Sequence, residues 1–239
     1  LFRSGIYMSL YDRHTYKESS NEFSTNSESQ IVQYVKETYK LFAASMLSGA
    51  VGAYLSLPYA SIIASNYWLI AIPWLLFGIF GLNFIKNKPG INMIGLYLFT
   101  FVSGVILAPL LTSVLSMAGG AGIVANAFLM TAVSFGSLSL FAMKSTKDFT
   151  GYGKPLMIAF IVMILFSLIN IFVFQSPLTH IIIQGIFFFI ISIMVIYDTQ
   201  NIIQGNYETP MDGAIALYLD FFNMFTTLLQ IFGFFSSED

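Results

Sequence analysis

Seven stretches of about 20 apolar residues follow one another between residues 37 and 235, each closed off by Gly, Pro or a few polar residues. A helix of about 20 residues matches a hydrocarbon core about 30 Å thick, and only structures that satisfy their own backbone hydrogen bonds cross it. The expected fold is an all-α integral membrane protein with seven transmembrane helices. The predicted spans are Thr38 to Leu57, Tyr67 to Ile85, Ile91 to Leu115, Ile123 to Met143, Pro155 to Phe174, Leu178 to Asn201 and Ala214 to Phe235. Their separators are Pro58, Lys86 to Gly90, Gly119 to Gly122, Gly151 to Lys154, Ser176-Pro177 and Thr209-Pro210, all rich in turn formers.

Composition narrows the chemistry. Only 9% of the 239 residues are charged and 56% are hydrophobic, against roughly 25% charged in an ordinary soluble domain. Ten basic and twelve acidic side chains give a net charge of -2, leaving no basic surface for nucleic acid. The absence of Cys removes disulfides, thiolate nucleophiles and Cys-metal centres, and two histidines, His14 and His180, are too few for a histidine-rich metal site. No resident cofactor is expected. Any chemistry must use carboxylates, amides, hydroxyls or backbone.

Residues 1–36 are polar and read as a mobile cytoplasmic tail, with Leu1 to Tyr7 set aside as an expression-derived remnant ahead of Met8. Residues 37–235 form the membrane domain and 236–239 a short C-terminal end. The basic residues fall in the tail, at Lys40 and in loops two (Lys86, Lys88) and four (Lys144, Lys147, Lys154). All lie on one side of a seven-span topology, so the positive-inside rule places the N-terminus in the cytoplasm and the C-terminus outside. Tyr59, Tyr67 and Trp68 fit an aromatic belt at the outer boundary, with Trp74 deeper.

Two acids remain at membrane depth, Asp198 near the end of the sixth span and Asp220 near the start of the seventh. The two spans run in opposite directions, so residues at similar distances from loop six meet. A carboxylate in hydrocarbon costs at least about 2.5 kcal/mol and usually faces a bundle interior with a partner. Two carboxylates within about 4 Å repel by about 4 kcal/mol at an effective dielectric near 20, so both cannot ionise near neutrality without a cation. Sharing one proton, the pair closes the cytoplasmic mouth. Doubly ionised, it separates and offers hard oxygens to a transient Ca²⁺. Asp220, Asn223, Thr227 and Gln230 share one face of the seventh span, a polar stripe that turns inward and makes that helix central, with Asn223, Thr227 and Gln230 as pathway-lining candidates.

Other features read more plainly. Ser45/Gly49 and Ser48/Gly52 form a small-residue packing face. Gly119 to Gly122 is a turn, Gly104 and Pro109 are a candidate hinge in the third span, and His180 is a solvated residue at the outer surface. Asn170 and Gln175 satisfy backbone or each other.

Tyr197-Asp198-Thr199-Gln200 and the run Ala216 to Phe225 resemble the transmembrane Bax inhibitor motif family, while Asn87-Lys88-Pro89, Gly104 to Pro109 and Thr146-Lys147-Asp148 resemble its bacterial YccA-like branch. The match covers about residues 35 to 235. It implies seven helices wrapped around a central last one, a pH-sensitive Ca²⁺ leak, and the family's aspartate pair at Asp198 and Asp220. Some relatives add an arginine on the second helix; Tyr67 to Ile85 contains none, so the closed latch lacks that cation. YccA-like relatives also imply regulation of a membrane-bound ATP-dependent protease, here through residues 8–36. The expected function is a pH-sensitive calcium or cation leak in the bacterial inner membrane, with a non-conducting protease regulator as the alternative. An intramembrane aspartyl protease is matched by Tyr197-Asp198 but not by Tyr218-Leu219-Asp220, which lacks the Gly-x-Gly-Asp context, so no enzymatic activity is expected. A retinal protein is excluded because the seventh span has no Lys.

Overall fold

A computed structural model describes the backbone from Leu10 to Ser236 and the side chains from Ser29 onward to the same end. The expectations for residues 1–7 and 237–239 lie outside the described residues. Seven helices are long and apolar enough to cross a membrane, and no strand occurs among the described residues. They are α1 (Leu10–Ser56), α2 (Tyr67–Ile85), α3 (Ile91–Leu115), α4 (Gly120–Lys144), α5 (Thr150–Phe174), α6 (Pro177–Ile203) and α7 (Pro210–Ser236).

Two expectations at the start of the chain are corrected. Residues from Leu10 to the membrane are not an unstructured tail but the first half of α1, and Tyr34 and Val35 already pack on the bundle core. The physical reason is legible: between Ile6 and Ser48 there is neither Gly nor Pro, so nothing stops a helix once the membrane segment has nucleated it. Nor does Pro58 end the span. It sits in the first turn of a 3₁₀ segment, Leu57–Tyr59, where a missing N–H costs nothing, and the chain continues through Ala60–Ser65 to a break at Asn66.

α7 lies against α1, α3, α4 and α6, whereas α2 rests on α3 and on the Ala60–Ser65 segment, and α5 on α6. Leu217, Met224 and Leu229 of α7 are fully enclosed by Val114, Ile191, Val195 and Ile202 among others. The last helix is therefore the axis of the bundle, and the outer faces of α2, α4 and α5 carry the exposed large apolar residues that a bilayer would cover.

The seam between α1 and α3 is backbone on backbone. A Cβ on Gly52 would strike the Phe101 carbonyl, and one on Gly104 would strike the Gly49 carbonyl oxygen and the Ala53 nitrogen. Ser48 Oγ donates across the same seam to the Tyr97 carbonyl at 2.8 Å. The small-residue face is a packing surface, as expected. Gly104, expected as part of a hinge, is a contact point of that seam, and α3 is unbroken helix through Pro109. Trp74 pins α2 to α3, stacking on Phe99 with ring centroids 5.0 Å apart and donating to its carbonyl at 3.0 Å.

Candidate functional site

Asp198, Thr199, Gln200 and Asn201 are all buried, although a run of four polar residues is an unusual way to end a membrane helix. Each has a reason. Thr199 Oγ1 bonds Ser139 Oγ of α4 at 3.3 Å, and Asn201 Nδ2 turns back to the Tyr197 carbonyl at 2.9 Å. Gln200 holds loop four: its Oε1 accepts from the Phe149 N–H at 2.7 Å, and its Nε2 donates to the Lys147 and Ala142 carbonyls at 2.8 and 3.3 Å. Asp198 alone points toward α7.

There it faces Asp220, which is also buried, and the two carboxyl groups lie close enough to act on each other. The antiparallel arrangement of α6 and α7 thus brings the two acids together. Among the described residues, Oδ2 of Asp220 has no hydrogen-bond partner. Among the described residues no lysine or arginine pairs with either acid, and no group of three or more His, Asp or Glu side chains is placed to hold a resident metal.

Asp198 has a neutral partner that sequence reading did not single out. Tyr207, in loop six (residues 204–209), donates its hydroxyl to Asp198 Oδ1 at 2.5 Å. Burial, and then the neighbouring Asp198, pushes this phenol well above its ordinary range, so it stays a donor at physiological pH. A tyrosine in a polar loop usually reads as an interface residue; the only available signal was its nine-residue separation from Asp198 across a tight turn.

Loop six is built to place that hydroxyl. At the end of α6 the Asn206 N–H bonds the Asn201 carbonyl at 2.8 Å and the Gly205 N–H bonds the Ile202 carbonyl at 3.0 Å, a Schellman motif whose left-handed position, φ 69°, is occupied by Gly205. At the start of α7, Thr209 and Asp212 form a reciprocal capping box: Thr209 N–H donates to Asp212 Oδ2 at 3.0 Å, and Asp212 N–H to Thr209 Oγ1 at 3.3 Å. Pro210 takes the first helical position, where it fits. Only Tyr207 and Glu208 lie between the two motifs. Glu208 pairs with Lys86 of loop two at 2.6 Å, and Tyr34 of α1 donates to the Thr209 carbonyl at 3.3 Å.

The stripe on α7 divides. Asp220 and Thr227 are buried, and Thr227 Oγ1, like Asp220 Oδ2, has no partner. Asn223 is partly buried. Gln230 is engaged rather than open: its Oε1 meets His180 Nε2 at 3.0 Å and accepts from Gln184 Nε2 at 3.2 Å, while its own Nε2 donates to the Thr226 carbonyl at 3.1 Å. His180, expected to be solvated, is therefore partly buried in a polar cluster, because it sits one turn into α6 opposite the last polar residue of the stripe. Asn170 resolves its expected ambiguity by bridging to the Ser176 backbone at 3.2 and 3.4 Å. Behind Asp220, Tyr218 bonds Ser103 and donates to the Thr100 carbonyl at 3.1 Å, fixing α7 to α3.

Comparison with known proteins agrees with this architecture. Residues 31–237 match the family model described as inhibitor of apoptosis-promoting Bax1. The chain is 44% identical over 237 residues to an uncharacterized protein of Campylobacter jejuni, covering 97% of this chain and all of that one. It is 32% identical over 211 residues to the modulator of FtsH protease YccA of Escherichia coli K12, covering 85% of this chain and 91% of YccA. The same figures hold for a protein of another Escherichia coli strain named inner membrane protein YccA. A seven-helix membrane bundle, an aspartate pair between its last two helices and a match over nearly the whole chain together place this protein in the Bax inhibitor family.

Proposed function

We propose that the protein is a pH-sensitive cation leak of the bacterial inner membrane, with Asp198 and Asp220 as its gate and Ca²⁺ as a permeant ion. The observation that carries this reading is the meeting of two buried carboxylates that, among the described residues, have no Lys or Arg beside them and leave one oxygen, Asp220 Oδ2, unpartnered. Native structures leave few buried polar atoms without a partner, least of all on a carboxylate. Two carboxylates are too few to cage Ca²⁺, which takes six to eight oxygens, but they suit an ion that passes with part of its water shell. Asn223 and Thr227 extend the polar face from the pair toward the opposite end. The basic residues at the end of the bundle that holds loops two, four and six orient that end, and the N-terminus with it, toward the cytoplasm.

The expected behaviour is closure when the pair holds a proton and opening when both acids ionise, so flux rises with pH. Ca²⁺ entry into proteoliposomes between pH 5 and 8 tests this with the parent, Asp198→Asn and Asp220→Asn. Flux that rises with pH in the parent and loses that dependence in both variants supports the gate; flux no greater than in empty liposomes sinks it.

A second reading is favoured by one finding, the 32% identity to a protein named modulator of FtsH protease. Under it the protein regulates a membrane-bound protease through residues 8–36 and conducts nothing. Removing residues 8–28 separates the two, since a leak persists and a regulator loses its partner. Neither reading requires an enzymatic activity, and a peptide-cleavage signal abolished by Asp220→Ala would overturn both.

A further inference from the structure

We propose that loop six is a lid over the acidic pair, latched by Tyr207 and clasped from outside by the Lys86–Glu208 ion pair. The inference rests on the conduction reading but adds a moving part and its fastenings. Its basis is the way the loop is made. The Schellman motif at Gly205 and the capping box at Thr209 and Asp212 leave only Tyr207 and Glu208 between two rigid ends. Each of those two side chains reaches a different element: Tyr207 goes inward to Asp198 of α6 and Glu208 outward to Lys86 of loop two. A third tie, from the Tyr34 hydroxyl to the Thr209 carbonyl, holds the lid to α1.

The ties differ in kind. Tyr207 packs against the central apolar cluster while its hydroxyl bonds a buried acid, so its bond is sheltered from water and salt. The Lys86 side chain is 17% exposed but that of Glu208 is 72% exposed, so the outer clasp is screened by salt. In this proposal an ion that approaches Asp198 and Asp220 from the basic end passes the Tyr207 ring, which is bonded to Asp198 from the loop side. Turning that ring aside breaks the Tyr207–Asp198 bond, and lifting the loop breaks the clasp as well. The lid therefore has a salt-resistant inner fastening and a salt-sensitive outer one.

The test uses the full chain in lipid nanodiscs for hydrogen exchange of the 204–212 peptide, and in proteoliposomes for Ca²⁺ flux at pH 7. Tyr207→Phe removes one hydroxyl and should accelerate exchange of the loop about tenfold, the scale of losing a hydrogen bond to a charged group, with flux rising in parallel. Lys86→Glu and Glu208→Lys should each accelerate exchange about twofold to threefold, and the double exchange of charges should restore the parent rate. Added NaCl should speed the parent's loop exchange but leave the increment caused by Tyr207→Phe unchanged. Unaltered exchange in Tyr207→Phe overturns the latch, and failure of the charge swap to rescue overturns the clasp. Faster exchange without faster flux, in a parent that conducts, overturns the lid. Should the parent pass no Ca²⁺ at all, the conduction reading falls, and the lid over the pathway falls with it. The two fastenings are then judged by exchange alone.

Discussion

α2 and α7 are both long enough to span a bilayer, and α2 is the more apolar of the two. Yet α2 has one buried residue, Leu82, while α7 is enclosed by four other helices. In water the greasier helix would take the centre. In a bilayer, lipid tails cover apolar surface as well as protein does, so helices are sorted by the polar groups and close contacts that lipid cannot supply. α7 carries Asp220, Asn223, Thr227 and Gln230, whereas among the described residues Trp74 makes the one side-chain hydrogen bond from α2 to another helix. Polarity, not apolarity, selects the axis of this bundle.

The largest effect expected from that contrast is at the backbone seam. Gly104→Leu should prevent recovery of a monodisperse protein in detergent, because its side chain would enter the space held by Gly49 and Ala53; Gly185→Leu, on an exposed face with nothing within 4 Å of a Cβ, should be recovered normally. Second in size is the core of α7. Met224→Ala leaves a cavity where no lipid can follow and should cost about 2 kcal/mol in thermal unfolding, whereas Phe84→Ala, at 79% exposure on α2, should change little. Equal losses at both sites would break the comparison.

A smaller effect, about 1 kcal/mol, is expected for Trp74→Phe, which keeps the stacking on Phe99 but loses the bond to its carbonyl. The smallest concerns the loops. Asp148 accepts from the Thr150 hydroxyl and N–H at 2.6 and 2.9 Å, and these bonds hold its carboxyl below the usual range. A lowered value in the folded state adds stability above the unfolded value, and this is lost as pH falls through the folded one. Its turn should therefore be indifferent to pH between 5 and 8, and Asp148→Asn should leave any flux profile in that window unmoved. Lys86 is raised, mainly by its bond to Glu208, so its share of stability would be lost only above the ordinary lysine range and is also constant in that window. A pH response measured there then belongs to neither loop.

Helix number, order and approximate ends were legible because hydrocarbon thickness imposes one length on every span. The aspartate pair was legible because two acids at similar depth on antiparallel neighbours have few other places to go. What escaped reading was local and three-dimensional. Pro58 signals a helix end in water but is harmless in the first turn of a 3₁₀ segment. Tyr207 and His180 lie in stretches that look solvent-facing, and only the return of the chain over Asp198 and Gln230 gives them partners. The polar residues between Leu10 and Lys36 concealed a helix because continuity with a membrane segment, rather than apolar periodicity, sustains it.

That continuity has a mechanical side. Forty-seven residues of α-helix without an internal break make a rod about 70 Å long, and its only glycines, Gly49 and Gly52, are locked against α3. A rod without a joint cannot absorb a push by bending locally. From the glycine seam, the contacts run through Ser103 and Tyr218 to the turn of α7 that bears Asp220, so a push on the polar half would meet that turn first. The contacts of the first helix thus end two residues from the acid.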